Sequence, residues 1–157
     1  RFHGGIDKAC YLFSADVYPY WKNLYPNLDW GWGMFGENLT VEGLDEATLN
    51  IGDIFKIGEA VVQVSKPRQP CFKLGIKFGT QKVLKQFIAH NRPGTYVHII
   101  TPGKVVPGDT IERIEAYPIA FSVQEMFILN YKPELANDKQ KILNHPLLSH
   151  NFKSNFL

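Results

Sequence analysis

The stretch that most constrains the fold is LNIGDIFKIGEAVVQVSKPRQPC, Leu49 to Cys71. Ile51, Ile54, Ile57, Val62 and Val64 fall around Gly-Asp and Gly-Glu pairs, so two strands joined by a tight turn at Gly58-Glu59 are expected. Pro67 and Pro70 then fix φ at two positions and remove two N–H donors, so the second strand must end near Val64 or Ser65. Each proline also pushes its preceding residue, Lys66 or Gln69, toward extended geometry. A shorter echo, GKVVPGDTIERIE, places another Gly-Asp before an alternating strand. Lys8 to Phe13 and TYVHIITPG read as further strands, with a short one near Asn38 to Val41. Helices are expected in SADVYPYWKNLYP, capped by Ser14, in TQKVLKQFIAHNRPG, capped by Thr80, and after the capping box Ser122–Glu125. One or two short helices follow Pro133. Strands dominate the middle, which favours a mainly β, closed or nearly closed barrel over a doubly wound sheet.

At 157 residues, 45% hydrophobic and 20% charged, the chain suits one globular domain with a sizeable core. A net charge of +2 gives no reason to expect nucleic acid or a membrane as main partner. No apolar run approaches the roughly 20 residues that span a bilayer. The opening RFHGG reads like the middle of a domain, so an upstream segment is expected. Two cysteines make no disulfide framework. A Cys10–Cys71 bridge is possible in principle, but two reduced thiols in a cytoplasmic protein are the better reading.

Cys71 lies in SKPRQPCFKLG, with Lys66, Arg68 and Lys73 within five residues. A stiff, positive setting presents a side chain and favours thiolate, the form that nucleophilicity and soft-metal binding require. The competing reading is a small buried hydrophobe. Cys10, flanked by apolar residues in KACYLF, reads as core. In HGGIDK, Gly4 and Gly5 would let backbone N–H groups approach a ligand, Asp7 could fix the tautomer of His3, and Lys8 could meet an anion. A solvent turn before a strand explains the same letters. FGENLT, with Glu37 and Asn38, is either a polar turn or a hydrogen-bonding edge for a ring-shaped ligand. His90, His98, His145 and His150 show no metal-ligand spacing, and there is no CxxC, HExxH or phosphate-cradling loop. Asp53 and Asp109 read as turn formers. Trp30 and Trp32 suit core, a pocket wall or a homodimer contact.

Together HGGIDKA, FGENLTVEGLDEATLNIGDIFKIGEAVVQVSKPRQPCFKL and PGKVVPGDTIERIE resemble the MOSC domain family, closest to its stand-alone, YiiM-like bacterial branch. The likeness runs from about Arg1 to Ile114. It implies a MOSC-type β-barrel over residues 1–121, lacking strands that usually precede the HGG segment, and a short helical C-terminal extension over residues 122–157. It implies further that Cys71 ligates the molybdenum of a pterin cofactor (molybdopterin) or carries transferable sulfur. Arg68 and Lys73 would meet the cofactor's charge, and His3, Lys8 and Asn38 would line the same pocket. By similarity the activity would be reduction of N-hydroxylated small molecules such as hydroxylaminopurines, with His3 as acid. Electrons would come from a donor protein, because the chain has no flavin, nicotinamide or iron–sulfur motif. The alternatives are a non-catalytic persulfide or cofactor carrier using the same cysteine, and a degenerate interaction module.

Overall fold

The computed structural model describes residues 10–157; His3, Gly4, Gly5, Asp7 and Lys8 lie outside the described residues. Six strands form one mixed sheet: β1 (Cys10–Ser14), β2 (Leu39–Val41), β3 (Ile54–Ile57), β4 (Ala60–Pro67), β5 (Thr95–Thr101) and β6 (Ile111–Glu115). Their spatial order is β2-β1-β5-β4-β3-β6. Only the β1–β2 pair is parallel. The expected hairpin is present, with Ile57 opposite Ala60 across Gly58-Glu59. Register shifts in β4 between Val61 and Val62, and between Val64 and Lys66, mark irregularities of the kind that bend a sheet.

Side-chain alternation along β1 divides the interior in two. Leu12 joins an aliphatic core with Ile57, Val62, Val64 and Val97, while Tyr11 and Phe13 point into an aromatic core. A sheet apolar on both faces needs cover on both. Three helices cover the aromatic side: α1 (Tyr18–Leu24), α2 (Phe72–Phe78) and α3 (Lys82–His90). Trp21 of α1 is fully buried there, beside Phe35, Phe78 and Phe87. On the aliphatic side lie α4 (Val123–Tyr131), α5 (Lys139–Asn144) and α6 (His150–Lys153). They contribute Val123, Met126, Leu129, Ile142 and Phe152 to that core. Phe127 of α4 reaches the aromatic core as well.

Local chemistry explains the boundaries. Ser14 Oγ accepts from Asp16 N at 3.2 Å and starts a short 3-10 turn that leads into α1, with Pro19 in the first turn. Ser122 Oγ accepts from Glu125 N at 3.0 Å and opens α4. Thr80 Oγ1 accepts from Lys82 N at 3.2 Å just before α3.

The expectation of a mainly β, closed or nearly closed barrel is met in part, by a curled six-stranded sheet flanked by helices. Helix outweighs strand, about 34% to 23%, because helices carry the cover on both faces. Among the described residues the sheet curls but its ladder does not close, so β2 and β6 are its edges.

Candidate functional site

Cys71 stands where β4 gives way to helix. Pro67 is the last residue of β4, and three residues later Pro70 leads into Cys71. Cys71 is extended, at φ −127° and ψ 168°, and its carbonyl accepts from Leu74 N at 2.9 Å as α2 begins. The prolines predict a stiff segment here, and the structure adds α2 directly after Cys71. Gly75 in mid-helix weakens the helical signal by roughly 1 kcal/mol. A Cβ at Gly75 would stand 2.4 Å from the Gln81 carboxamide, so that side chain would have to shift. Gln81 itself donates from Nε2 to the Phe72 carbonyl at 3.2 Å, strapping the start of α3 onto α2.

Half-buried Cys71 opens onto a pocket of about 960 Å³. One wall is the proline-bounded segment, with Lys66, Arg68, Cys71 and Lys73. The other wall comes from the C-terminal helices: Met126 and Asn130 of α4, then Ser149, Asn151, Phe152 and Asn155. Tyr96 of β5 also lines it. The contribution of the C-terminal helices could not be anticipated from sequence, since Cys71 and Phe152 lie far apart in the chain.

Arg68 is both lining and fastening. Its guanidinium sits 4.8 Å from the Tyr11 ring centroid and donates from Nη1 to the Phe35 carbonyl at 2.8 Å. Gly36 makes room for it: φ there is +82°, and a Cβ would stand 3.0 Å from Nη1. The next residue, Glu37, is a hub. Oε1 accepts from the Tyr18 hydroxyl, from Gly33 N at 3.1 Å and from Thr40 Oγ1 at 2.9 Å, while Oε2 accepts from Phe35 N at 3.0 Å. Burial, and then its bond to Glu37, holds the Tyr18 phenol well above its ordinary pKa. Asn38 Oδ1 accepts from Tyr11 N at 2.7 Å, and Asn38 N donates to the Tyr11 carbonyl at 2.9 Å. The FGEN segment therefore spends its polar groups on its own loop and on α1, β1 and β2. Asn38 is not among the residues lining the pocket, whereas Arg68, Cys71 and Lys73 share it.

The other candidates resolve into structure. Both cysteines are free. Cys10 packs against the aliphatic core beside a second, apolar pocket of about 210 Å³, and burial pushes its thiol pKa up. Asp53 is buried, accepting from Asn50 N and Tyr117 N and pairing with Arg113 at 3.3 Å. Asp109 accepts from Val106 N at 2.8 Å, as a turn former does. Glu46, fully buried and not singled out by sequence, pairs with Arg92 at 2.6 Å and accepts from Gly94 N. Trp30 packs in the aromatic core, while Trp32 is 70% exposed. Among the described residues, no group of three His, Cys, Asp or Glu side chains could hold a metal ion. No helix among them is long and apolar enough to cross a membrane.

Fold and site together define a curled-sheet α/β domain built around one cysteine in a cation-lined pocket. The model of the MOSC domain matches residues 1–112, and the chain belongs to that family. It is 37% identical over 156 residues to YflK of Bacillus subtilis, covering 99% of this chain and 70% of that protein. It is 35% identical over 116 residues to YiiM of Escherichia coli, covering 73% of this chain and 52% of that protein. A protein named Reductase from Gibberella moniliformis is 37% identical over 120 residues, 74% of this chain but only 21% of the longer protein. The crystal structure of YiiM from Geobacillus stearothermophilus superposes with a TM-score of 0.86 at 32% identity, covering 98% of this chain and 78% of that one.

Proposed function

We propose that the chain binds a molybdenum cofactor at Cys71 and reduces N-hydroxylated small molecules of the hydroxylaminopurine type. The observation that carries this reading is the sharing of one large pocket by Cys71, Arg68 and Lys73. The donor set fits the group. A thiol supplies one soft ligand, which suits a metal whose remaining ligands come from its own cofactor. Cationic side chains on the same wall suit the cofactor's phosphate or dithiolene charge. The pocket volume of about 960 Å³ leaves room for a substrate beside the cofactor.

When bound, the cofactor would supply the two-electron redox chemistry. The chain's own residues hold and orient. Arg68, fixed by Phe35 and Tyr11, gives the cationic wall a stable position. Asn130, Asn151 and Asn155 set carboxamide donors and acceptors on the facing wall, suited to a heterocyclic edge. The balanced reaction is R–NHOH + 2 e⁻ + 2 H⁺ → R–NH₂ + H₂O: the N–O bond breaks and its oxygen leaves as water. His3, outside the described residues, is assigned as the acid that protonates that oxygen.

Elemental analysis of protein made in a host that synthesises the cofactor tests the reading. Near-stoichiometric molybdenum is expected in the parent and none in Cys71→Ser, with reductase activity following the metal. Metal and activity retained in Cys71→Ser would refute the ligand assignment. The second reading is a carrier. Cys71 opens onto the pocket with no second cysteine on its walls, so a persulfide there would not be resolved by a neighbouring thiol. Sulfane sulfur on Cys71 without molybdenum would favour that reading.

A further inference from the structure

Charge is distributed unevenly along this nearly neutral chain. From Ala60 to Gly108 there are six lysines and two arginines and no acidic residue. All fifteen acidic residues and nine of the seventeen basic ones lie elsewhere. The basic segment holds the cysteine wall of the pocket and the α2–α3 pair.

On α2, which begins directly after Cys71, two exposed apolar side chains stand one turn apart. Phe72 is 61% exposed and Ile76 68%. Lys73 and Lys77 repeat the same spacing one residue on, both exposed. Lys82 and Lys85 of α3 are exposed as well, and the Gln81 strap holds the start of α3 against α2. An apolar pair within a cationic frame is the composition of a protein interface with an acidic partner, apolar at the centre and charged at the rim. Isolated exposed apolar residues need no explanation, but two on one short helix at the mouth of the redox pocket do.

We propose that the α2–α3 face docks an acidic electron-transfer protein bearing an exposed flavin or iron–sulfur cluster. The inference rests on the reductase reading, whose two electrons must come from outside the described residues. Docking on α2 places the donor beside Cys71, which caps that helix. Nucleic acid would use the lysines but would leave Phe72 and Ile76 unexplained, which favours a protein partner.

The test uses the full chain with two acidic probes, a flavodoxin and a plant-type ferredoxin. Their binding is measured by calorimetry at low and physiological ionic strength, against Ile76→Ser and Ile76→Ser/Lys77→Glu, with folding checked by circular dichroism. At least one probe is expected to bind the parent, more weakly as salt rises. The double variant should weaken binding by about tenfold or more, as loss of a central apolar contact and a charge does. Equal affinity in parent and variants, no binding of either probe, or preferential binding of duplex DNA would overturn the proposal. Turnover driven by reduced methyl viologen separates the two readings. If the parent fails to turn over with viologen yet binds a probe through this face, the reductase reading fails and the docking face stands. If viologen-driven turnover is intact in parent and variants and neither probe binds, the converse holds.

Discussion

The carboxylate of Glu37 accepts four hydrogen bonds, two from its own loop, one from α1 and one from β2, and is 9% exposed. Glu37→Ala would leave two backbone N–H groups and two hydroxyls without that partner. A loss of about 2–4 kcal/mol is expected, read by urea denaturation. Nothing in FGENLT distinguishes this knot from a ligand-binding edge, because Tyr18, one of its donors, comes from another element. Arg68 shows the same gap. Its neighbours Pro67 and Cys71 were visible in the sequence, but its acceptor, the Phe35 carbonyl, is 33 residues away. Arg68→Lys keeps the charge and loses the planar stack on Tyr11 and the fixed fork of donors. Retention of the proposed cofactor is therefore expected to fall while net charge is unchanged, measured as molybdenum per chain after desalting. Retention equal to the parent would mean that charge alone suffices at this position.

Whole elements were legible where a local signal and the tertiary fold agree. The Gly58-Glu59 hairpin and the Ser122 cap are such cases. Ser122→Ala should cost about 1 kcal/mol by thermal denaturation, since α4 loses its first-turn acceptor. Helix α2 was hidden because Pro70, Cys71 and Gly75 all speak against helix locally, while its support comes from α3 and from Leu74 and Phe78 in the aromatic core. Gly94 carries a further element-scale test. Its φ is +70°, and a Cβ would stand 2.3 Å from the Leu12 carbonyl, where β5 begins against β1. Gly94→Ala combines backbone strain with a clash that the sheet must absorb. A loss of at least about 1–3 kcal/mol is expected. An unchanged melting temperature would show that β1 and β5 can separate slightly without cost.

At the scale of the whole molecule, the C-terminal helices belong to the same interior as the sheet, and one titratable group is sealed with them. His145 is fully buried, its Nδ1 accepting from Leu147 N at 3.2 Å and its ring stacked near Tyr117. Burial, then Lys153 and Lys141, lowers its pKa below the ordinary 6.5. His90 is lowered too, by burial and then Arg92. The unfolded chain therefore takes up protons near pH 6.5 that the folded chain refuses, and stability declines as pH falls through that value. Melting temperatures between pH 8 and pH 5 should drop less steeply in His145→Gln than in the parent. Parallel slopes would assign the acid sensitivity to other groups.

The pocket has a temporal consequence. Its cysteine wall comes from the stretch around Cys71, and its facing wall includes Phe152 and Asn155, much later in the sequence. A chain leaving the ribosome can present the thiol long before it can enclose anything against it. A bulky ligand would be gripped only once both stretches have folded together, so its retention would report on whether the late helices have docked.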